Sequence, residues 1–285
     1  MLQGYVCKCC RLIERLLHVS CYRIVNIDAL HPSYLLRTEF SQIPWLSSTA
    51  MTPYFGEFMG TFLLMLMGGC VNANLDLART KGSGAGWMLM SWGWGLSVFL
   101  GVYTAIALGG SGHLNPAISI GFSAFGQLSS DLLPGYIAAQ MAGAFCGAVV
   151  TWAAFRLHFE ATDDPDRKLG VFSTAPAIRH SFSNFMTEAI GTFVLAFGAL
   201  AASAPTTSLG ALDALPVALL VAGIGMGLGG PTGYAINPAR DLGPRLAHFV
   251  LPISGKRDSD WSYAWIPVAG PIVGALLGAG LYSLL

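Results

Sequence analysis

The triplet Asn115-Pro116-Ala117 returns as Asn237-Pro238-Ala239, and each copy opens an apolar stretch too brief to cross a bilayer. Asn is a favoured helix N-cap and Pro is favoured at the first helical position, so each triplet predicts a helix start. Beyond the first triplet, residues 117–125 are apolar for only about two to three turns. A span needs roughly 20 apolar residues, and a stretch of about 10–14 is re-entrant or buried instead. One Asn-Pro pair is an ordinary turn signal. Two, placed alike in two halves of a membrane chain, imply a pore.

The bilayer follows from composition. The chain is 54% hydrophobic and 11% charged with a formal net charge of zero, whereas a soluble domain carries about 25% charged residues. Neutrality and the lack of a basic block exclude nucleic acid as a partner. The 35 Gly suit close helix packing in lipid. Cys70 and Cys146 fall inside apolar spans and read as small buried hydrophobes. No His, Cys or carboxylate set has metal-ligand spacing and no nucleophile–base pair stands out, so neither a metal, a cofactor nor an enzymatic activity is expected.

Residues 1–50 are mixed, moderately basic and free of any span-length apolar run or signal-peptide pattern. Two readings stand. The Cys-Lys-Cys-Cys stretch at 7–10 is a metal or acylation site without a matching partner set, or Met51 is the true start and 1–50 an upstream extension outside the mature protein. The second is the expectation.

From Pro53 onward an all-α membrane protein is predicted, with spans at 53–73, 87–108, 132–157, 181–203, 213–230 and 262–284. Two half-spans join them, one after Asn115 and one from Pro238 to Val250. The halves repeat, one over about 53–157 and the other over about 181–284. Glu57-x-x-Gly60-Thr61-Phe62 matches Glu188-x-x-Gly191-Thr192-Phe193, and Ala142-Gly143-x-x-x-Gly147-Ala148 matches Ala269-Gly270-x-x-x-Gly274-Ala275. Three spans per half is an odd number, so the second copy enters inverted and the short helices descend from opposite faces to meet at the midplane. Basic residues select neither orientation, since the extension carries five against seven in loops 74–86, 158–180 and 251–261.

Two helix N-termini meeting tip to tip bring roughly half a positive charge each to the membrane centre. The Asn115 and Asn237 amides can point donors into a lumen there, breaking a proton wire while the field repels cations. The stretches before the triplets must be irregular backbone, which survives at membrane depth only when packed in protein or lining a water-filled cavity. Carbonyls of Ser111, Gly112 and His113, and of Thr232, Gly233 and Ala235, are the expected acceptor ladders. Glu57 and Glu188 either fix those loops by accepting hydrogen bonds or form a proton relay. His113 either offers its carbonyl or titrates as a gate, and Asp241 supports Arg240 or a helix terminus.

These paired triplets, the repeated Glu-x-x-Gly-Thr-Phe and Gly270-Pro271-Ile-Val-Gly274-Ala275 resemble the aquaporin (major intrinsic protein) family. The run Gly230-Pro-Thr-Gly-Tyr-Ala-Ile-Asn-Pro-Ala-Arg240-Asp241-Leu-Gly-Pro-Arg245 resembles its glycerol-facilitator, or aquaglyceroporin, branch. The resemblance covers about 53–284. It implies a channel domain over 51–285, six transmembrane helices plus two re-entrant half-helices in a right-handed bundle, and a homotetramer with one pore per protomer, multi-pass in the plasma membrane. It also implies a filter of Trp94, Gly225, Tyr234 and Arg240. An intramembrane Arg faces a cavity by default, and its fork of donors suits two adjacent hydroxyls of a polyol. Trp94 and Tyr234 would form an apolar corner for the carbon chain, and Gly225 would leave the width. Trp94 alone could equally be an interfacial belt residue.

Two departures stand out. Tyr103 to Asn115 is one residue longer than usual in the branch, near Gly109-Gly110, and is expected to reshape the first ladder. Tyr234 adds a hydroxyl to the apolar corner. The expected function is passive passage of glycerol and other small neutral solutes, with some water, excluding ions and protons. The alternatives are a proton-coupled secondary transporter and a mainly water- or urea-selective channel.

Overall fold

The computed structural model describes residues 52–203 and 210–285, with no strand among them; the readings of residues 1–50 lie outside these. In chain order the helices are α1 (Pro53–Asp76), α2 (Trp87–Ala107), α3 (Pro116–Ala124), α4 (Leu133–Ala154), α5 (Arg156–Glu160), α6 (Pro165–Gly170), α7 (Ser181–Ala202), α8 (Ala214–Leu228), α9 (Pro238–Val250) and α10 (Ile266–Tyr282). A 3-10 turn, Gly210–Asp213, leads into α8.

Among the described residues α1, α2, α4, α7 and the Gly210–Leu228 unit are long and apolar enough to cross a membrane. The sixth, α10, has 17 residues, about 26 Å at 1.5 Å per residue, which is the short end of a span. It starts later than the expected residue 262 because Tyr263 and Ala264 donate three residues back, to the Asp260 and Trp261 carbonyls, and close tight turns. The third span likewise stops at Ala154. Phe155 leaves helical geometry at φ −106°, ψ 15°, and α5 begins a separate short helix.

The repeated small-residue motif is a seam where backbones touch. A Cβ on Gly143 or Gly147 of α4 would lie 2.4 Å from the Phe58 carbonyl oxygen or 2.6 Å from that of Phe62, both in α1. On α10 a Cβ at Gly274 would lie 2.1 Å from the Ala189 oxygen in α7. In lipid, helices gain little from burying apolar surface, so this close approach supplies the packing energy.

The half-helices cross over. Gly121 of α3 sits against Ala275 of α10, and Gly243 of α9 against Ala144 of α4. Each repeat's short helix is therefore seated on a span of the other repeat. Together α3 and α9 have 22 residues, about 33 Å of helix, which is one bilayer core.

α2 ends at Gly109-Gly110 in a defined turn. Gly109, at φ 84°, donates to the Ile106 carbonyl and Gly110 to that of Ala105, at 3.0 and 2.8 Å. That is a Schellman ending of α2, placed before the first carbonyl ladder.

Candidate functional site: a constriction beside two abutting helix tips

Asn115 caps α3 and Asn237 caps α9. Each Oδ1 accepts the backbone N–H two residues on, at 2.9 Å, and Asn237 takes that of Arg240 as well. Their amide nitrogens cross over: Asn115 Nδ2 donates to the Ile236 carbonyl and Asn237 Nδ2 to that of Leu114, both at 2.8 Å. Each tip is thus stapled to the loop that precedes the other. An amide nitrogen carries two hydrogens, so one per Asn joins the staple and one is left for the lumen.

The loops are bent to allow this. Leu114 and Ile236 take left-handed backbone, at φ 51° and 44°, a conformation that costs of order 1–3 kcal/mol each outside Gly. The Glu-x-x-Gly-Thr repeat holds both in place. Glu57 accepts from the N–H groups of His113 (3.0 Å) and Leu114 (2.8 Å) and from Gln140 Nε2 (2.9 Å). Glu188 accepts from those of Ala235 (3.0 Å) and Ile236 (2.7 Å). The glycine three residues on makes room: a Cβ at Gly60 would strike the Leu114 side chain at 2.6 Å, and one at Gly191 would meet Ile236 at 3.0 Å. Thr61 and Thr192 hydroxyls donate to the Glu57 and Glu188 carbonyls.

Two cavities run along these tips. One, of about 320 Å³, is bordered by both Asn, by Ser111, Gly112, His113 and Ala235, and by apolar faces of α2, α7 and α8. The other, of about 500 Å³, opens among the end of α1, the start of α2, the segment 166–179 and the loops on either side of α9, and includes Gly233. Thr232 is fully buried and borders neither. Among the described residues only Trp94, Tyr234 and Arg240 border both. They stand where the two cavities meet.

At that junction Arg240 is 7% exposed and its guanidinium carbon lies 4.0 Å from the Trp94 ring centroid. Its side-chain hydrogen bond to the Phe172 carbonyl is long, 3.5 Å, so most of its fork remains open to a solute. The buried Trp94 indole is no belt residue: Nε1 donates to Asn72 Oδ1 at 2.8 Å. Tyr234 meets Trp87 edge-on at 5.9 Å, and its hydroxyl points to the Met90 carbonyl at 3.5 Å.

Gly225 is a correction. It borders neither cavity; a Cβ there would lie 2.8 Å from Tyr234 Cζ and 3.1 Å from Ser91 Oγ. Its missing side chain makes room for the Tyr234 ring rather than for solute. Asp241 accepts from Thr174 N and Oγ1, both at 2.8 Å, and from Arg245 Nε and Nη2 at 2.8 and 3.0 Å, with no hydrogen bond to Arg240. Arg245 also donates to the carbonyls of Thr174, Ser259 and Asp260. This fully buried pair clamps the 171–176 segment, which carries the Phe172 carbonyl, beside Arg240. His113 is held by Ser119 Oγ at 3.1 Å and by the Phe122 and Tyr136 rings.

The larger cavity is walled in part by Arg179 and Asp260, paired at 2.5 Å. Burial works against ionisation of Asp260, but hydrogen bonds from Arg179 and Ser262 outweigh it and hold the carboxyl below its ordinary value. The same bond raises Arg179.

Sequence reasoning missed Asn72, Thr174 and Arg245. A polar residue inside an apolar span was the signal that could have found Asn72, and the i, i+4 spacing of Asp241 and Arg245 on a half-helix was the signal for that pair.

Known proteins agree with this architecture. A family model described as "Major intrinsic protein" matches residues 45–282. The "Probable glycerol uptake facilitator protein" of Thermotoga maritima is 51% identical over 233 residues, 82% of this chain and 99% of that one. The "Glycerol uptake facilitator protein" of Bacillus subtilis is 48% identical, over 82% of this chain and 84% of that one. The X-ray structure of the aquaglyceroporin from Plasmodium falciparum superposes with a TM-score of 0.73 at 30% identity, covering 82% of this chain and 96% of that one. With inverted repeats, stapled half-helices and matches that span the whole channel region, the chain belongs to the major intrinsic protein family.

Proposed function

We propose that the protein is a passive channel for glycerol and other small neutral polyols, with some water, and that it excludes ions and protons. The observation that carries this reading is the stacking of Arg240 on Trp94 where the two cavities meet. A solute passing there has a fork of donors on one side and aromatic faces on the other. Glycerol, with hydroxyls along one edge and carbon along the other, matches both at once. Hydrophobic and aromatic lining with a few placed donors is the usual recipe for orienting a small neutral solute.

Exclusion of charge rests on the two helix tips. Their partial positive charges and the guanidinium raise the energy of any cation at mid-membrane, the electrostatic logic of aquaporin-type pores in general. The remaining amide hydrogens of Asn115 and Asn237 would orient a passing oxygen and interrupt a proton wire. Proton coupling is disfavoured, because both carboxylates that could relay a proton, Glu57 and Glu188, are occupied by loop N–H groups. The role is transport rather than catalysis. Assembly as a homotetramer in the plasma membrane belongs to the same proposal; one chain supplies the walls of both cavities, which fits one pore per protomer.

Purified protein in liposomes tests it. Glycerol flux should exceed that of empty liposomes, rise linearly with concentration and ignore an uncoupler. Saturation at low millimolar glycerol together with dependence on a proton gradient would overturn it.

A further inference from the structure

We propose that Asn72 is a positioning residue for solute selection, acting by holding the Trp94 indole at the junction of the two cavities. The proposal rests on the pore reading above. Asn72 lies inside α1 and is 3% exposed, a polar side chain in an apolar span that faces the bundle interior, where such residues carry a task.

Its amide orientation is set by its partners. The indole Nε1 can only donate, so the atom it meets at 2.8 Å is Oδ1. The Gly170 carbonyl can only accept, so the atom 2.9 Å from it is Nδ2. Asn72 therefore ties a ring at the constriction to the end of α6, whose Gly170 borders the larger cavity. The ring is also backed by Gly68, one turn earlier in α1, where a Cβ would lie 2.5 Å from Trp94 Cη2 and Cζ3. Gly68 and Asn72, four residues apart on one helix face, together fix the ring's position against α1.

For a solute this has two consequences. The indole donor is already used, so Trp94 presents an apolar wall and Arg240 supplies the donors. The fixed ring is also the platform on which the guanidinium lies at 4.0 Å, so the angle of its fork is inherited from Asn72. Without that acceptor the Nε1–H is unpaired beside the larger cavity, which both Asn72 and Trp94 border. It would turn toward water or solute, blurring the division into a hydroxyl side and a carbon side. Glycerol should lose more than water from this change.

The test is the ratio of glycerol to water permeability in liposomes holding the full chain as wild type, Asn72→Leu, Trp94→Phe and the double variant. One buried hydrogen bond is worth roughly a fivefold change in an equilibrium. Asn72→Leu should therefore lower the ratio by about three- to tenfold. In the Trp94→Phe background, which has no ring N–H, it should add nothing. Asn72→Ala, whose vacated space opens on the cavity and admits water, should change the ratio in the same direction and serves if the leucine variant folds poorly. An equal effect in both backgrounds would mean packing alone and would overturn the proposal. So would an unchanged ratio in both Asn72 variants alongside a changed one in Arg240→Leu, with the pore reading left intact. Wild-type flux no greater than that of empty liposomes would overturn both.

Discussion

Replacing Glu188 by Leu tests whether the paired carboxylates act as scaffold or as proton carriers. The side chain is 1% exposed, and its oxygens take the N–H groups of Ala235 and Ile236 at 3.0 and 2.7 Å. Leucine leaves both donors buried without partners, at about 1–3 kcal/mol each, so roughly 2–6 kcal/mol is lost. Ile236 at φ 44° would then lack the restraint that keeps it left-handed, and the Asn115 staple to its carbonyl would loosen with it. At about 2–4 °C per kcal/mol for a chain of this size, the thermal midpoint in detergent should fall by roughly 5–20 °C. Glu188→Gln keeps one acceptor oxygen and should fall by less, while glycerol flux through it stays independent of a pH gradient. A leucine variant with wild-type midpoint and flux would refute the scaffold argument. A glutamine variant that folds normally yet loses a gradient-driven component would favour the relay.

Three further outcomes are expected. Arg240→Leu removes the donor fork and the intramembrane charge; glycerol permeability should fall by about tenfold, as for loss of one charge-assisted hydrogen bond, with a rise in proton leak measured by an entrapped pH dye. Gly274→Val places a Cβ 2.1 Å from the Ala189 oxygen; overpacking costs about 1–3 kcal/mol or more, and the yield of monodisperse protein should drop sharply, whereas Gly223→Ala, which meets nothing within 4 Å, should be neutral. The Arg179–Asp260 pair depresses Asp260 below the 3.8 of a free side chain, so its stabilisation is complete above that value and is lost as pH falls through the lower folded value. The pair's contribution to the thermal midpoint should be constant above about pH 5 and shrink in more acid solution, and Arg179→Met should remove no more than about 1 kcal/mol of it, since that arginine is half exposed.

Much of the fold was legible because its determinants are local. Asn-Pro announces a capped helix start, the apolar runs set the spans, and two copies of Glu-x-x-Gly-Thr reveal the inversion. The short helices α5, which straddles the end of the expected third span, and α6, inside loop 158–180, were not legible, since neither is long enough to show an apolar period. At the candidate site, Trp94, Tyr234 and Arg240 all border both cavities. What escaped were pairings across long sequence separations. Asn72 meets Gly170 98 residues away, and Thr174 meets Asp241 67 residues away. Nothing in either residue's own neighbourhood announces its partner. For Asp241 two readings were open, support of Arg240 or of a helix terminus; it sits in the first turn of α9, and its carboxylate turns to Arg245 and to Thr174.

The central claim is that two stapled helix tips and a one-arginine constriction pass a neutral polyol while refusing charge. The most direct measurement tracks re-swelling in glycerol and internal pH in the same proteoliposomes under an imposed proton gradient. Rapid glycerol entry with a proton leak equal to that of protein-free liposomes is the predicted result. Proton flow that rises with protein content, or glycerol entry no faster than through lipid alone, would contradict it.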